Sequence, residues 1–244
     1  MCNKVCIDFG TANFKEGDIR GKLVIEVGAM DINGSLRSFM ESFGPRKYIG
    51  VDIHMGPGVD MICKIEDLKS TFGPDSFDLV VCTEVLEHVE DWWEAIHNLK
   101  QIVNPGGALL ITTRSRGFLF HGFPFDFWRY EVSDMENIFS DFEIKNLRSD
   151  PKEPGVLFFA RKPLKFSENN VKKYKLYSIL FNRRLPIVKK KIFRSAVFLL
   201  LRYKMVLQCI WGSALVRQLV EYSKRKCPKL VRALKIILKS PRSS

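Results

Sequence analysis

The stretch Leu23-Val24-Ile25-Glu26-Val27-Gly28, followed by Ala29-Met30-Asp31-Ile32-Asn33-Gly34, decides the fold. Val24, Ile25 and Val27 make the near-continuous apolar run of a strand buried in a parallel sheet. Glu26 and Gly28 interrupt it at the carboxyl end, where open α/β sheets bind their ligands. Gly28 removes a side chain where backbone must come close to something. Ser35 is placed to cap a helix from about Leu36 to Phe43. A second strand, Tyr48-Ile49-Gly50-Val51, ends on Asp52, from where an acid commonly accepts hydrogen bonds from ribose hydroxyls.

The same alternation continues. Gly56-Pro57-Gly58 is a turn, and residues 59–63 are expected as a third strand. A fourth, 77–82, is followed by a turn over 83–89. Asp91 caps a helix from Trp92 to about Val103, with Trp93, Ile96, Leu99 and Val103 on one face. Asn104-Pro105-Gly106-Gly107 stops that helix, and 108–113 is the fifth strand. Ser133 is placed to cap a short helix over 135–139. Residues 142–147 and 156–160 are the last two strands. Seven strands alternating with helices, then a hairpin-like pair, predict a doubly wound α/β sheet.

Glu26 and Gly28, Asp52, Phe77-Asp78-Leu79-Val80-Val81-Cys82, Leu86-Glu87-His88-Val89 and Asn104-Pro105-Gly106-Gly107 together resemble the class I S-adenosylmethionine-dependent methyltransferases. The small-molecule group with "LEHV" after the fourth strand, the methyltransferase type 11-like proteins, is the nearest in pattern. The resemblance covers roughly residues 20–163. It implies a seven-stranded Rossmann-like sheet and S-adenosyl-L-methionine as cofactor. It places the cofactor against Glu26, Gly28, Ala29, Asp52, Ile53, Ile65 and Thr83, with Glu26 toward the cofactor's ammonium group and Asp52 on the ribose. The family's glycine loop departs here, because Met30 and Ile32 stand at its second and third glycine places. Lys64 stands where an acid often receives the adenine amino group. A lysine cannot accept a hydrogen bond, so that contact passes to backbone at Ile65 or to Asp67.

Two further strings carry candidate chemistry. Glu84-Val85-Leu86-Glu87-His88 sits just past a strand's carboxyl end. A neutral imidazole there can take a proton from an attacking hydroxyl or amine, so His88 and Glu84 are the candidate catalytic groups. The alternative is that His88 only packs and orientation of the acceptor suffices. After the fifth strand comes His121-Gly122-Phe123-Pro124-Phe125-Asp126-Phe127-Trp128-Arg129-Tyr130, similar to an "HGxPxDxWR" string of the same group. His121, Asp126, Trp128 and Arg129 are read as a substrate wall, or else as a packed loop with Asp126–Arg129 as its internal pair. No Cys/His cluster has metal-ligand spacing, and no GxxxxGK phosphate loop is present.

Charge divides the chain. Residues 164–244 hold 21 Lys and Arg against two acids, leaving 18 basic and 25 acidic residues in 1–163, so the net charges are +19 and −7. A split this sharp predicts a methyltransferase domain over 1–163 and a basic, mainly helical extension over 164–244. From Lys229 onward, Leu230, Val231, Leu234, Ile237 and Leu238 share one helical arc and Lys229, Arg232, Lys235 and Lys239 the other. That is a membrane-surface pattern. The extension either caps the first domain or lies on an anionic membrane; nucleic acid is the least favoured partner, for want of a motif. The six cysteines have no framework spacing, which suits a reducing interior. No run is long enough for a signal peptide or a membrane span. A cytoplasmic protein, peripheral to a membrane, is the expectation.

The expected function is methyl transfer to a small, lipid-linked or glycan-like acceptor. Its alternative is an inactive methyltransferase-like protein that binds an anionic membrane surface.

Overall fold

The computed structural model describes residues 3–121 and 125–188. In chain order the elements are α1 (Lys4–Asn13), α2 (Glu16–Ile19), β1 (Leu23–Val27), α3 (Arg37–Glu41), β2 (Lys47–Asp52), β3 (Met61–Ile62), α4 (Leu68–Phe72), β4 (Phe77–Thr83), α5 (Trp92–Ile102) and β5 (Val103–Arg114). There follow β6 (Trp128–Arg129), α6 (Val132–Ile138), β7 (Glu143–Ser149), β8 (Gly155–Arg161), β9 (Leu176–Ser178) and β10 (Arg183–Leu185).

The main sheet has the order β3-β2-β1-β4-β5-β8-β7. Its first five strands are parallel; β8 runs antiparallel to β5, and β7, antiparallel to β8, returns to the common direction. This is the seven-stranded Rossmann-like sheet the apolar runs predict. The order reverses between β1 and β4, so the crevice beyond their carboxyl ends is the ligand site of an open α/β sheet. Val24, Ile25, Val80 and Val81 are fully enclosed, as central parallel strands require.

Local chemistry differs from expectation in three places. Asp91 caps α5 through the Glu94 amide at 3.2 Å, but the buried face carries Trp92, Ala95, Ile96, Leu99 and Ile102. The stripe is therefore rotated by one residue, onto Trp92 in place of Trp93. Ser133 does not cap α6; Glu131 and Asp134 form a reciprocal capping box there. Ser35 Oγ receives the Arg37 amide at 2.9 Å, while its hydroxyl turns to Glu26.

Packing continues past the charge break at Lys162-Pro163, since the first compact unit reaches Val188. Residues 164–188 contain a 3-10 turn (Val171–Lys173) and the strands β9 and β10, with no α-helix. β9 pairs with β6, making a second, three-stranded sheet. Trp92 Nε1 donates to Pro186 O at 3.0 Å. Lys100, fully buried in α5, reaches Asp141 at 2.7 Å and Asn169 Oδ1 at 3.0 Å. A buried ammonium needs such a set of acceptors to offset its lost hydration. The helix expected from Lys229 lies outside the described residues. Among the described residues no helix is long and apolar enough to cross a membrane.

Candidate functional site

Four strand ends build the crevice. At the end of β1, Gly28 has φ +78, and a Cβ there would collide with Val85 Cγ2. Glycine is required on both counts. The Gly28 and Ala29 amides donate to Val51 O at 2.8 and 3.0 Å, folding the loop onto β2. Glu26 is buried and accepts from Tyr48 Oη at 2.7 Å and Ser35 Oγ at 2.9 Å. Burial raises its carboxyl above the ordinary range, and those two hydrogen bonds oppose the rise. At the end of β2, Asp52 receives the Met30 amide at 3.3 Å and the His54 amide at 3.2 Å. Each carboxylate oxygen keeps acceptor capacity for a further donor.

These residues fit S-adenosylmethionine. Asp52 is half-buried with Ile53 beside it, 50% exposed and placed as an apolar wall for a base. Ala29, Ile65 and Thr83 are buried in the crevice floor. Met30 reaches across to Gly56, where a Cβ would meet its sulfur. The bulkier side chain thus fills the space between two loops.

The end of β4 carries the Glu84–His88 string. Glu84 adopts φ +58, an uncommon conformation for a side-chain-bearing residue. Its carboxylate accepts from Thr112 Oγ1 at 2.9 Å and pairs with Arg114. Burial and the charge of Glu87 raise its carboxyl, against the pull of Arg114. Glu84 is thus enclosed beneath the site and held away from an acceptor.

Leu86–His88 forms a 3-10 turn. Glu87 is fully buried; its Oε2 accepts from Thr113 at 2.8 Å, and its Oε1 has no hydrogen-bond partner. His88 Nδ1 lies 2.5 Å from Phe125 O. A carbonyl only accepts, so Nδ1 carries a proton and donates it to Phe125 O.

His121 completes the group. Its Nδ1 meets Asp126 Oδ2 at 3.1 Å and its Nε2 faces Glu87 Oε1 at 3.7 Å. Burial works against its charge, but Asp126 and Glu87 outweigh that and push it up to about 9. Glu87 is likewise disfavoured by burial, yet His121 and the neighbouring His88 bring it down to about 2. One ligand-capable atom from each of Glu87, His88 and His121 lies within 4.8 Å of the others. Such a trio could hold a divalent cation. Sequence spacing concealed it because His121 returns from a distant loop.

Trp128 and Arg129 prove to be inside. Trp128 is fully enclosed and donates from Nε1 to Glu90 O at 3.1 Å. Arg129 grips Asp126 with Nη1 at 2.5 Å and Nη2 at 2.8 Å. Its other bonds go to the carbonyls of Trp128, Phe118 and Leu119. Aromatic and guanidinium groups suit a ligand wall, but here they tie Phe118, Leu119 and His121 to Asp126 and Arg129. Of the expected wall only His121, a quarter exposed, faces the crevice, with Phe118 edge-on at 4.9 Å. The sequence reading missed Glu87; its adjacency to His88 was the available signal.

A methyltransferase-domain family model matches residues 3–150. The chain belongs to this methyltransferase family. Its domain is of the class I, S-adenosylmethionine-dependent type. Similar proteins include a ubiquinone biosynthesis O-methyltransferase of Azoarcus sp. strain BH72, 31% identical over 112 residues, covering 41% of this chain and 47% of that protein. The mitochondrial protein of that name from Schizosaccharomyces pombe is 27% identical over 135 residues, covering 49% and 48%. The chain therefore spans about half the length of the curated relatives it matches. The fold is shared with the 1,6-didemethyltoxoflavin-N1-methyltransferase of Burkholderia thailandensis, at TM-score 0.50 and 16% identity, covering 65% of this chain and 78% of that one.

The Glu87–His121 pair gives the methyltransferase domain an expected pH dependence. Folding raises His121 from 6.5 to about 9. Its contribution to stability is fully present below about 6.5 and lost as pH rises through about 9. Glu87 contributes in the opposite sense, fully above its ordinary 4.5 and lost as pH falls toward 2. Thermal melts from about pH 6 to 10 should show the alkaline loss, and His121→Gln should flatten it. An equal alkaline loss in that variant would assign it to another group.

Proposed function

We propose that the protein transfers the methyl group of S-adenosylmethionine to a hydroxyl of a small, flat acceptor. The acceptor lies against the Leu86–His88 turn. The observation that carries this reading is His88, just past the end of β4, with its Nδ1 held 2.5 Å from Phe125 O and its ring edge-on to His121.

The cofactor, when bound, supplies an activated methyl on a sulfonium. Glu26, Gly28, Asp52 and Ile53 hold it. The acceptor's proton passes to His88 Nε2, whose tautomer Phe125 O maintains. Glu87 orients the His121 ring beside the acceptor, and the imidazolium of His121 keeps Glu87 charged. The partly exposed His121 ring, braced edge-on by Phe118, offers an aromatic face to a planar group. Oxygen is the preferred atom because the similar curated proteins are named O-methyltransferases. A lipid-linked or glycan-like acceptor, met at an anionic membrane through 164–244, is the finer form of this reading. It rests on the charge split and on exposed Leu119 and Phe125 near the wall.

Calorimetry of the whole chain with S-adenosylmethionine and S-adenosylhomocysteine tests cofactor use. Asp52→Ala should weaken binding by about 1.5–3 kcal/mol, the usual range for a hydrogen bond to a charged group. An unchanged dissociation constant in the folded variant would remove Asp52 from the site.

A further inference from the structure

A groove of about 320 Å³ opens between α6, the turn Val171–Lys173 and the β9–β10 hairpin. Asp134, Asn137, Lys173, Tyr174, Lys175 and Arg184 line it. None of them takes part in the cofactor crevice or the Glu87–His88–His121 group.

Its charge is unbalanced. Arg184 is fixed on Asp134 by bonds of 2.7 and 3.0 Å and on Lys175 O at 2.7 Å, so that pair cancels itself. Lys173 lies over the Tyr174 ring, 4.9 Å from its centre. Among the described residues neither Lys173 nor Lys175 has an ion-pair partner. Exposed Lys172 and Arg183 flank the groove. Residues 164–188 hold six basic residues and one acid. With Asp134 offset by Arg184, Lys173 and Lys175 leave the groove net positive, and such a concave site concentrates anions. Two uncompensated ammonium groups beside a pre-positioned guanidinium match a group with two negative charges and several acceptor oxygens.

The geometry points to this groove as a binding site for a phosphate group, carried by a soluble phosphate monoester or by a phospholipid headgroup. The ammonium groups of Lys173 and Lys175 take the phosphate oxygens, and Arg184, held by Asp134, fixes the groove's far wall.

The test uses the full chain, isotopically labelled, with glycerol 3-phosphate as the soluble probe. The surface probe is phosphatidylcholine vesicles with and without phosphatidic acid. Saturable shifts of the Asn137, Tyr174 and Lys175 amides are expected. Lys173→Ala/Lys175→Ala should weaken them roughly tenfold or more, the effect of losing charge-assisted bonds. Affinity for S-adenosylhomocysteine should stay the same, which shows the variant folded. Saturation by glycerol 3-phosphate identifies a soluble phosphate. Perturbation of the same amides by phosphatidic acid vesicles alone identifies a headgroup. Unsaturating shifts, equal in both proteins and with both probes, would overturn the site and leave a solvated basic face.

Discussion

Arg129→Ala should lower folding stability by about 3–5 kcal/mol, the usual cost of removing one partner of a buried ion pair. Arg129 is 1% exposed and Asp126 fully enclosed. Without the guanidinium the Asp126 carboxylate keeps, among the described residues, the His121 ring and amide as partners. The carbonyls of Phe118, Leu119 and Trp128 lose their donors at the same time. Arg129→Lys should recover only part of the loss, because one ammonium cannot reproduce a planar fork. Denaturant unfolding measures both variants. A loss under about 1 kcal/mol for Arg129→Ala would place the pair in the range of solvated ion pairs and contradict its enclosure. The variant should also lose turnover, since His121 is aimed at Glu87 through Asp126.

The sheet was legible because its signals are strong. Val24 to Val27 and Leu79 to Cys82 are apolar runs ended by Gly28 and Glu84, and turn residues separate them. The strands β6, β9 and β10 were not legible. Each is two or three residues long, too short for a period to register. The charge break near Lys162 misplaces the end of packing because Lys100, Trp92 and His97 reach forward to Asn169, Pro186 and Glu168. Such contacts leave no local pattern. In the site, Glu26, Gly28 and Asp52 could be read because strand ends in this fold are where ligands bind. The pairing of Glu87 with His121 could not, since a loop return creates it. Trp128 and Arg129 were ambiguous for a chemical reason. The groups that make a good ligand wall also make a good buried clasp, and only the partners Glu90 O and Asp126 decide between them.

His88→Ala should lower turnover by about 10²–10⁴-fold, the usual contribution of a positioned acid–base group. Phe125 O fixes the proton on Nδ1, so the lost atom is Nε2, the acceptor proposed for the hydroxyl proton. Affinity for S-adenosylhomocysteine should be nearly unchanged, because neither His88 nor Glu87 is among the residues assigned to the cofactor on β1, β2, the turn after β3 and the end of β4. Glu87→Gln keeps the shape and removes the charge. It should lower turnover as well and shift the pH profile, because His121 then loses one of the two carboxylates that hold it near 9. A panel of phenols and other flat hydroxyl compounds, assayed for S-adenosylhomocysteine release, supplies the readout. The two variants separate two sources of rate. A sulfonium methyl is already activated, and alignment alone can contribute several kcal/mol. If His88→Ala and Glu87→Gln both retain wild-type turnover and pH profile on the best acceptor, proton removal is no part of the catalysis. The crevice would then act by alignment alone.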